Sequence, residues 1–360
     1  MEKLEKARQI VSETDEEIAK LFEKRMQAVR EIAEYKKERG LPIFDADREE
    51  ALLRRNLGYV EDEEIKEFYV PFMRGAMDIS KRYQHRIMEG ANIAYSGVEG
   101  AYAHIAAGRI FPDGKRISYP NFRSAYEAVE KGECDCAVIP IENSRAGEVG
   151  EVIDLLFSGT LFVNGIYSLD IRHNLIGVKG ARESDIKEVV SHQQALDQCA
   201  AYIRNKGYKA TSCENTARAG KYVAEKEDIS VAAIASRETA ELYSLEVIRE
   251  NINEASDNTT RFVVLSRTLC TEKRDHSVIV FTVPDKAGAL AHAINVIGHH
   301  GYSMRCIKSR AMKDLIWTYY FYVELQGDLQ SKRGKYMLDE LSECCDKLKM
   351  IGTFKENSKI

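Results

Sequence analysis

A chain of 360 residues, 44% apolar and 30% charged, reads as a globular sequence too long for one ordinary core, so two or three domains are expected. Its net charge of −5 gives no electrostatic case for nucleic acid or an anionic membrane, and a small anionic ligand would need locally placed cations. The charged start lacks a signal-peptide core, no run reaches the roughly 18 apolar residues of a membrane span, and the cysteines show no metal spacing, so a cytoplasmic protein with reduced thiols and no metal is expected.

From Met1 to about Glu89 only helical periodicity is legible. The first helix should run to about Arg39, where Gly40-Leu41-Pro42 stops it. A second covers Asp47 to Leu57. A third opens near Ile65, or at Pro71 as a first-turn proline, and runs to about Met88. On the first helix Ile18, Phe22, Arg25, Val29, Ile32 and Lys36 share one stripe. Arg25 and Lys36 are about three turns apart and both point into the apolar face. Either they snorkel at a core edge or they hold an anion inside a bundle, and two cations facing one way favour the anion. Ser80 and Gln84 lie one turn apart in a stripe with Met73, Met77 and Ile87, while Asp45, Arg48 and Glu49 cluster at the start of the second helix.

This segment resembles the all-helical chorismate mutase type found at the head of P-proteins, matching it at Arg8, Arg25, Lys36, Asp45, Arg48, Glu49, Ser80 and Gln84. Chorismate rearrangement is pericyclic and needs no nucleophile, metal or cofactor. It needs a dicarboxylate held in a folded conformer, with donors on the ether oxygen as that bond breaks. The resemblance implies Arg8, Arg25 and Arg48 as carboxylate and pocket cations, and Lys36 and Gln84 as donors to the ether oxygen. Glu49, with Asp45, would take the ring hydroxyl, and Ser80 would help hold a carboxylate. Arg8 and Arg25 are separated by roughly 26 Å of helical rise, so one straight helix cannot bring both to one chorismate. Either Arg8 is a plain surface arginine or it serves a second pocket in an intertwined homodimer or larger homo-oligomer.

From Ala91 the texture changes. Short strand-like runs (Ile93–Tyr95, Ala137–Ile139, Leu175–Val178, Val231–Ala235) alternate with helical stretches (Phe122–Lys131, Ala195–Lys206, Thr216–Glu225). That alternation predicts an α/β fold with largely parallel sheets, in two lobes with a cleft between them, like a periplasmic binding protein, over residues 91–268. Four clusters here resemble prephenate dehydratase. The first runs from Gly97 to His104, where small residues let backbone N–H groups approach an anion, although Ala103 stands where the family has serine. The second, Glu142-Asn143-Ser144, closes a strand at the end where α/β clefts bind ligands. The third is Ser191-His192-Gln193-Gln194, with Gln193 in place of proline; His192 reads as a capping or packed histidine before a catalyst. Near it Thr216 either donates to a ligand or caps its helix.

The fourth cluster, Asn258-Thr259-Thr260-Arg261-Phe262, is the most diagnostic of the dehydratase. Prephenate must lose its ring hydroxyl and a carboxylate together, so the enzyme must assist hydroxide departure and hold the remaining carboxylate. The resemblance implies Thr260 as the donor near the leaving hydroxyl, with Arg261, Glu142, Asn143 and Ser144 around the substrate.

After a polar link from Leu269 to Asp275, residues 275–360 read as strand (Ser277–Val283), helix (Ala287–His299), strand (Ser303–Ala311), strand (Ile316–Leu325), helix (Ser331–Cys345) and strand (Lys349–Phe354). This is a βαββαβ, α+β ferredoxin-like order. The unit resembles an ACT domain, and Gly288-Ala289-Leu290 matches the ligand loop of dehydratases that sense phenylalanine; a helix-capping glycine is the plainer reading of Gly288. The second motif of that domain departs, with Lys308 for an acid and Ala311 for a proline, which implies phenylalanine inhibition weaker than usual. Nearly the whole chain thus resembles the bifunctional P-protein family, with helical (1–90), dehydratase (91–268) and ACT (275–360) domains. A non-catalytic aromatic-metabolite sensor and an arogenate-using dehydratase are the rival readings. Retention of Thr260, Arg261, Glu142 and the mutase set favours catalysis.

Overall fold

The computed structural model describes residues 2–254, 257–312, 319–356 and 358–360. The chain forms two compact units, one comprising the chain up to Ala91 with Asp113–Lys115, the other Asn92–Pro112 with Arg116–Ile360.

The first unit holds α1 (Glu2–Arg39), α2 (Ala46–Leu57) and α3 (Glu63–Glu89). Gly40 ends α1 at φ +62°, a left-handed conformation that glycine adopts without a Cβ penalty. Asp62 caps α3 by accepting from the Glu64 N–H at 2.9 Å. The helix therefore begins before Ile65, and Pro71 lies inside it and not at its first turn, giving up one backbone hydrogen bond. α1 and α3 pack together yet bury little: Val29 and Ala33 on α1, and Met73, Met77, Ser80 and Gln84 on α3. Ile10, Val11 and Leu21 on α1 and Phe68 and Phe72 on α3 stay more than half exposed in the single chain. No described helix is long and apolar enough to cross a membrane.

In the second unit the first lobe holds β1 (Asn92–Ser96), α4 (Tyr102–Ile110), β2 (Lys115–Tyr119), α5 (Phe122–Glu130), β3 (Cys136–Asn143), β4 (Gly147–Glu148), α6 (Gly150–Ser158) and β5 (Phe162–Asp170). The chain then crosses to a second lobe of β6 (Asn174–Gly177), β7 (Glu188–His192), α7 (Gln193–Gln198), α8 (Ala200–Lys206), β8 (Lys209–Cys213), α9 (Thr216–Lys226), β9 (Val231–Ala235), α10 (Arg237–Leu242) and β10 (Glu246–Arg249). It returns through β11 (Thr259–Ser266). The single helix expected over Ala195–Lys206 is two, broken at Cys199.

The last segment follows as β12 (His276–Thr282), α11 (Ala289–His299), β13 (Ser303–Ala311), β14 (Tyr319–Gln326), α12 (Lys332–Cys344) and β15 (Lys347–Phe354). That is βαββαβ order, with the strands side by side as β13, β14, β12, β15 and every pairing antiparallel. The expected strand start at Ile316 lies outside the described residues.

A ten-stranded sheet runs β13–β14–β12–β15–β5–β11–β3–β1–β2, with β4 on β3, and a five-stranded sheet runs β10–β6–β9–β7–β8. β1 with β3, and β7 with β8 and β9, are parallel. β11 is antiparallel to both β3 and β5, and β6 to β9 and β10. The sheets are therefore mixed, not largely parallel, because β5 and β11 carry the two lobe crossings in opposite directions. β15 joins β5 at Gly352 opposite Val163, where any Cβ on Gly352 would collide with the Val163 carbonyl. The first lobe and the last segment consequently share one core, in which Ile139, Leu156 and Val263 pack with Val278, Val280 and Tyr322.

Candidate active sites

In the helical unit Arg25 is half-buried and meets only neutral partners: it donates to the Ala76 carbonyl at 3.0 Å and to the Ser80 hydroxyl. Burial lowers its pKa, the mark of a cation without a charged partner. Ser80 in turn donates to the Ala76 carbonyl at 2.9 Å. Gln84, one turn on, is buried with its Oε1 unpartnered. Lys36 is half-buried and donates to the Ile43 carbonyl at 2.8 Å. Glu49 pairs with Lys81 at 3.2 Å, a cation that the sequence reading did not single out. Asp45 acts as the cap of α2, its carboxylate accepting from the Arg48 N–H at 3.0 Å, and both residues are exposed. Arg8 lies exposed near the start of α1 in an ion pair with Glu5 at 3.2 Å. The Arg25 guanidinium, half-buried and met by neutral partners, is the group here to which an anion would add a charge-assisted bond.

In the α/β unit Asn143 and Thr260 line two adjoining cavities of about 260 and 560 Å³, together within the range of small-molecule sites. They are also register partners on β3 and β11. Tyr102, Gln194, Glu214 and Asn215 border both cavities, and His173, His192, Gln198, Thr216 and Asn258 the smaller one. None of these lining residues is lysine or arginine. What the cleft offers an anion is backbone: α4, α7 and α9 begin at it, and α4 has no side-chain cap, while His192 accepts from the Gln194 N–H on α7 and Asn215 from the Arg218 N–H on α9. The Gly97–Gly100 turn feeds α4. Gly100 has φ +85°, a Cβ there would crowd Leu242 and Ala217 of the other lobe, and its carbonyl accepts from Thr239 at 3.1 Å. The glycine thus serves lobe contact as much as ligand approach. Ala103 is buried on the same helix.

Three of the expected substrate contacts lie elsewhere. Successive side chains of a strand point to opposite faces, so Glu142 and Arg261 turn away from the cleft that Asn143 and Thr260 face. Arg261 donates to Glu142 at 3.0 Å and to both oxygens of Glu324 on β14 at 3.0 and 2.8 Å. Glu142 also accepts from Lys308 on β13 at 2.8 Å. Burial opposes its charge, but these two cations outweigh burial and hold its carboxyl below the usual range. Ser144 staples the crossing strands, donating to the Asp257 carbonyl and accepting from the Thr259 N–H, each at 3.0 Å. Conversely, His173 and Gln198 line the cleft without having been assigned there, because each is a single polar residue with no local spacing to mark it, and Tyr102 lines it from within the Gly97–His104 run without a role having been given to it. A further cavity of about 410 Å³ is lined by Arg109 and Glu238, and by Arg237 and Glu250, each an ion pair, together with Asp170 and Arg172.

In the last segment Gly288 is the N-cap of α11 at φ +83°, exposed, while Leu290 packs against the core beneath. Lys308 and Arg310 share one face of β13. Arg310 reaches Glu148 at 2.6 Å and Asp154 at 2.8 Å.

A helical bundle with a half-buried arginine that meets neutral partners is thus followed by a two-lobed α/β unit whose cleft is lined by Asn143 and Thr260, an architecture of two separate small-molecule sites. Residues 7–85 match the model of chorismate mutase type II and residues 93–269 that of prephenate dehydratase. The bifunctional chorismate mutase/prephenate dehydratase of Neisseria gonorrhoeae is 30% identical over 355 residues, covering 96% of this chain and 95% of its own. Arogenate dehydratase 2 of Petunia hybrida is 32% identical and covers 74% of this chain and 72% of its own. A crystal structure of prephenate dehydratase from Arthrobacter aurescens in complex with L-Phe superposes with a TM-score of 0.68 at 26% identity, covering 74% of this chain and 90% of that one. The chain belongs to the bifunctional chorismate mutase/prephenate dehydratase family. It carries both activities, converting chorismate to prephenate and prephenate to phenylpyruvate in phenylalanine biosynthesis.

Proposed function

We propose that chorismate is rearranged in the pocket of the helical domain (1–90) and that prephenate is dehydrated at Thr260 in the cleft of the domain spanning 91–268. The observation that carries the second assignment is the 2.9 Å hydrogen bond from the Asn143 amide to Thr260 Oγ1. Because that oxygen accepts from Asn143, the Thr260 proton is left to donate into the cleft. As carbon dioxide leaves, the electron pair of its C–C bond moves into the ring and the ring C–O bond breaks. Thr260 gives its proton to the departing oxygen, which leaves as water, and takes a proton back from solvent as the cleft reopens, while the helix N-termini hold the remaining carboxylate. In the helical domain Arg25, with Ser80, takes a chorismate carboxylate, Lys36 and Gln84 approach the ether oxygen, and Glu49 takes the ring hydroxyl.

Residues 275–360 form a ferredoxin-like ACT domain that binds phenylalanine at Gly288, Ala289 and Leu290. The βαββαβ topology and the left-handed Gly288 support this reading, as does the L-Phe complex of the similar dehydratase. The active enzyme is a homodimer or larger, since the exposed apolar residues of α1 and α3 want cover that one chain does not supply. Eight free cysteines suit the reducing cytoplasm.

Arogenate is the second reading, favoured by the acidic residue Glu151 at the cleft, which suits a substrate with an ammonium group, and by the Petunia relative. The deciding experiment incubates the purified chain with chorismate and follows prephenate and phenylpyruvate separately, with a parallel reaction on arogenate. Prephenate should rise and then fall as phenylpyruvate accumulates. Chorismate consumption without phenylpyruvate, beside rapid phenylalanine formation from arogenate, would move the cleft to the second reading.

A further inference from the structure

Thr260 ends a hydrogen-bond chain whose polarity two backbone groups decide. Asn143 Oδ1 accepts from the N–H groups of Arg145 and Ala146, both at 2.9 Å. Its Nδ2 must therefore be the donor, and it reaches Asn258 Oδ1 and Thr260 Oγ1, each at 2.9 Å. Asn258 Oδ1 being the acceptor, its Nδ2 donates to Gln198 Oε1 at 2.8 Å. Gln198 Oε1 also lies 2.8 Å from His173 Nε2. An amide oxygen only accepts, so the proton of His173 sits on Nε2. Its Nδ1 is then the acceptor end, 3.3 Å from the Tyr102 hydroxyl, whose one proton also has the Arg172 carbonyl as an acceptor at 3.0 Å.

Gln198 Oε1 is thus held by two donors, one from each side. No hydrogen bond ties its Nε2 to another described residue, and the side chain borders the cleft beside Thr260. With the oxygen end pinned, the amide N–H₂ is the end left to the cleft. His173 belongs to the crossing from β5 to β6 and Asn258 to the return before β11, so the clamp is assembled where both crossings meet. The Ile171 N–H donates to the Asn258 carbonyl at 2.8 Å, and the Ile252 N–H to the His173 carbonyl at 2.8 Å. His173 is only 3% exposed, and its burial, against the opposing Gln198 bond, pushes its pKa below the usual value. The neutral Nε2–H form is the one that a buried site keeps.

We propose that His173 is a positioning residue of the dehydratase reaction: with Asn258 it pins Gln198 so that the Gln198 amide N–H₂ faces the cleft as a donor to substrate next to Thr260. Since His173 lies at a lobe crossing, the same bond ties the orientation of that donor to the relative position of the two lobes. The assignment rests on the reading that prephenate binds in the Thr260 cleft.

The test uses the full chain with His173→Leu and His173→Gln, the glutamine restoring an N–H about where Nε2 stands. Prephenate kcat and KM are measured, chorismate turnover reports that the helical unit is intact, and urea unfolding reports that the α/β unit is folded in each variant. His173→Leu should raise KM at least about fivefold and lower kcat/KM about twentyfold, as expected for a lost polar contact to substrate, while His173→Gln should stay within about threefold of the parent. In a Gln198→Ala background the further change His173→Leu should cost less than about twofold, because the two act through one donor. Full additivity of the two changes, equal loss in the leucine and glutamine variants, or a His173→Leu enzyme with unchanged kinetics would each overturn the proposal. Thr260→Ala, run alongside, separates the two readings. If it leaves dehydration intact, the cleft assignment falls and takes this one with it. If it abolishes dehydration while His173→Leu is silent, only the positioning role falls.

Discussion

Thr260 and Arg261 are adjacent on β11 and serve opposite faces of the sheet. The Thr260 hydroxyl oxygen accepts from Asn143 at 2.9 Å on the cleft side, while the Arg261 guanidinium holds both oxygens of Glu324 at 3.0 and 2.8 Å on the other. The strand that presents Thr260 is therefore bolted from behind to β14 of the last segment. Strand geometry places these two side chains back to back, so their roles should separate on mutation.

Thr260→Ala removes the donor and little else, since the side chain is small and its bond to Asn143 is one of several that Asn143 makes. Phenylpyruvate formation should fall at least about a hundredfold, roughly 2.7 kcal/mol of transition-state stabilisation, with chorismate consumption near normal. Both rates are read in one assay of the purified variant. A parallel fall of the two activities in a folded variant would contradict separate sites.

The face-to-face split was available in the sequence and obscured by its motifs. Glu142-Asn143 and Thr260-Arg261 are pairs on strands, and a period of two sends one member of each pair to either face. Their adjacency suggests a shared pocket, whereas only the register between β3 and β11 tells that Asn143 and Thr260 share one face and Glu142 and Arg261 the other. The element order was legible because apolar periodicity is local. The mixed pairing of the sheets was not, because antiparallel return through β11 depends on contacts between residues more than a hundred positions apart. In the same way His173, Gln198 and Asn258 come together only through the lobe crossings, and Lys81 meets Glu49 only through the packing of α2 on α3.

Arg261→Met leaves the Glu324 carboxylate, 3% exposed, without its guanidinium partner. Removing one member of a buried pair costs about 3 kcal/mol, and this should appear in urea unfolding of the α/β unit. Dehydration should drop at least about tenfold although Thr260 is untouched, because β11 loses its rear anchor. Lys308→Met should cost less in both measurements, since Glu142 keeps its bond to Arg261. Equal effects of the two substitutions would argue against Arg261 as the principal anchor.

Acid should weaken the α/β unit through its buried histidines. Burial lowers the pKa of His173, with the Gln198 bond opposing, and lowers that of His104, with the Arg116 charge adding to it. Unfolded histidine titrates near 6.5, so below that pH the unfolded chain binds protons that the folded chain does not. Stability is full above about pH 6.5 and is lost as pH falls through the folded values. His173→Gln should therefore show a smaller drop in urea midpoint between pH 7.5 and 5.5 than the parent, with His104 accounting for a residual drop. Identical drops would mean that His173 is not titrating in this window.

Phenylalanine should bind weakly. The stretch of β13 that departs from the family motif is committed elsewhere, with Lys308 held by Glu142 and Arg310 by Glu148 and Asp154. Calorimetry should show half-saturation near about 1 mM, roughly −4 kcal/mol, and Gly288→Ala should abolish it because φ +83° strains any residue with a Cβ. Tight binding would refute the weakening, and no heat at several millimolar would leave this segment a structural role only.

The mutase should work only when two chains share their helices, with Arg8 of one chain completing the pocket that holds Arg25 of the other. Both residues lie on α1, seventeen positions apart in the sequence, which is roughly 26 Å of rise and about 100° of rotation on a straight helix. Chorismate is far smaller than that gap. In the single chain Arg8 is exposed and paired only with Glu5, an i,i+3 surface contact of little energetic value. Arg25, by contrast, has only neutral partners, and Ile10, Val11 and Leu21 leave the same helix with apolar surface to cover. A second copy laid along α1 would cover that surface and bring its own Arg8 toward Arg25. Arg8→Ala and Arg25→Ala should each be nearly inactive as mutases, whereas co-refolded mixtures should recover activity, because a mixed dimer keeps one pocket with both arginines. With random pairing about half the dimers are mixed and each has one good pocket of two, so recovery should approach about a quarter of the parent rate. Dehydration of added prephenate should stay normal in all three preparations. If mass spectrometry shows mixed dimers and the mutase does not recover, Arg8 is a surface arginine and the pocket is complete within one chain.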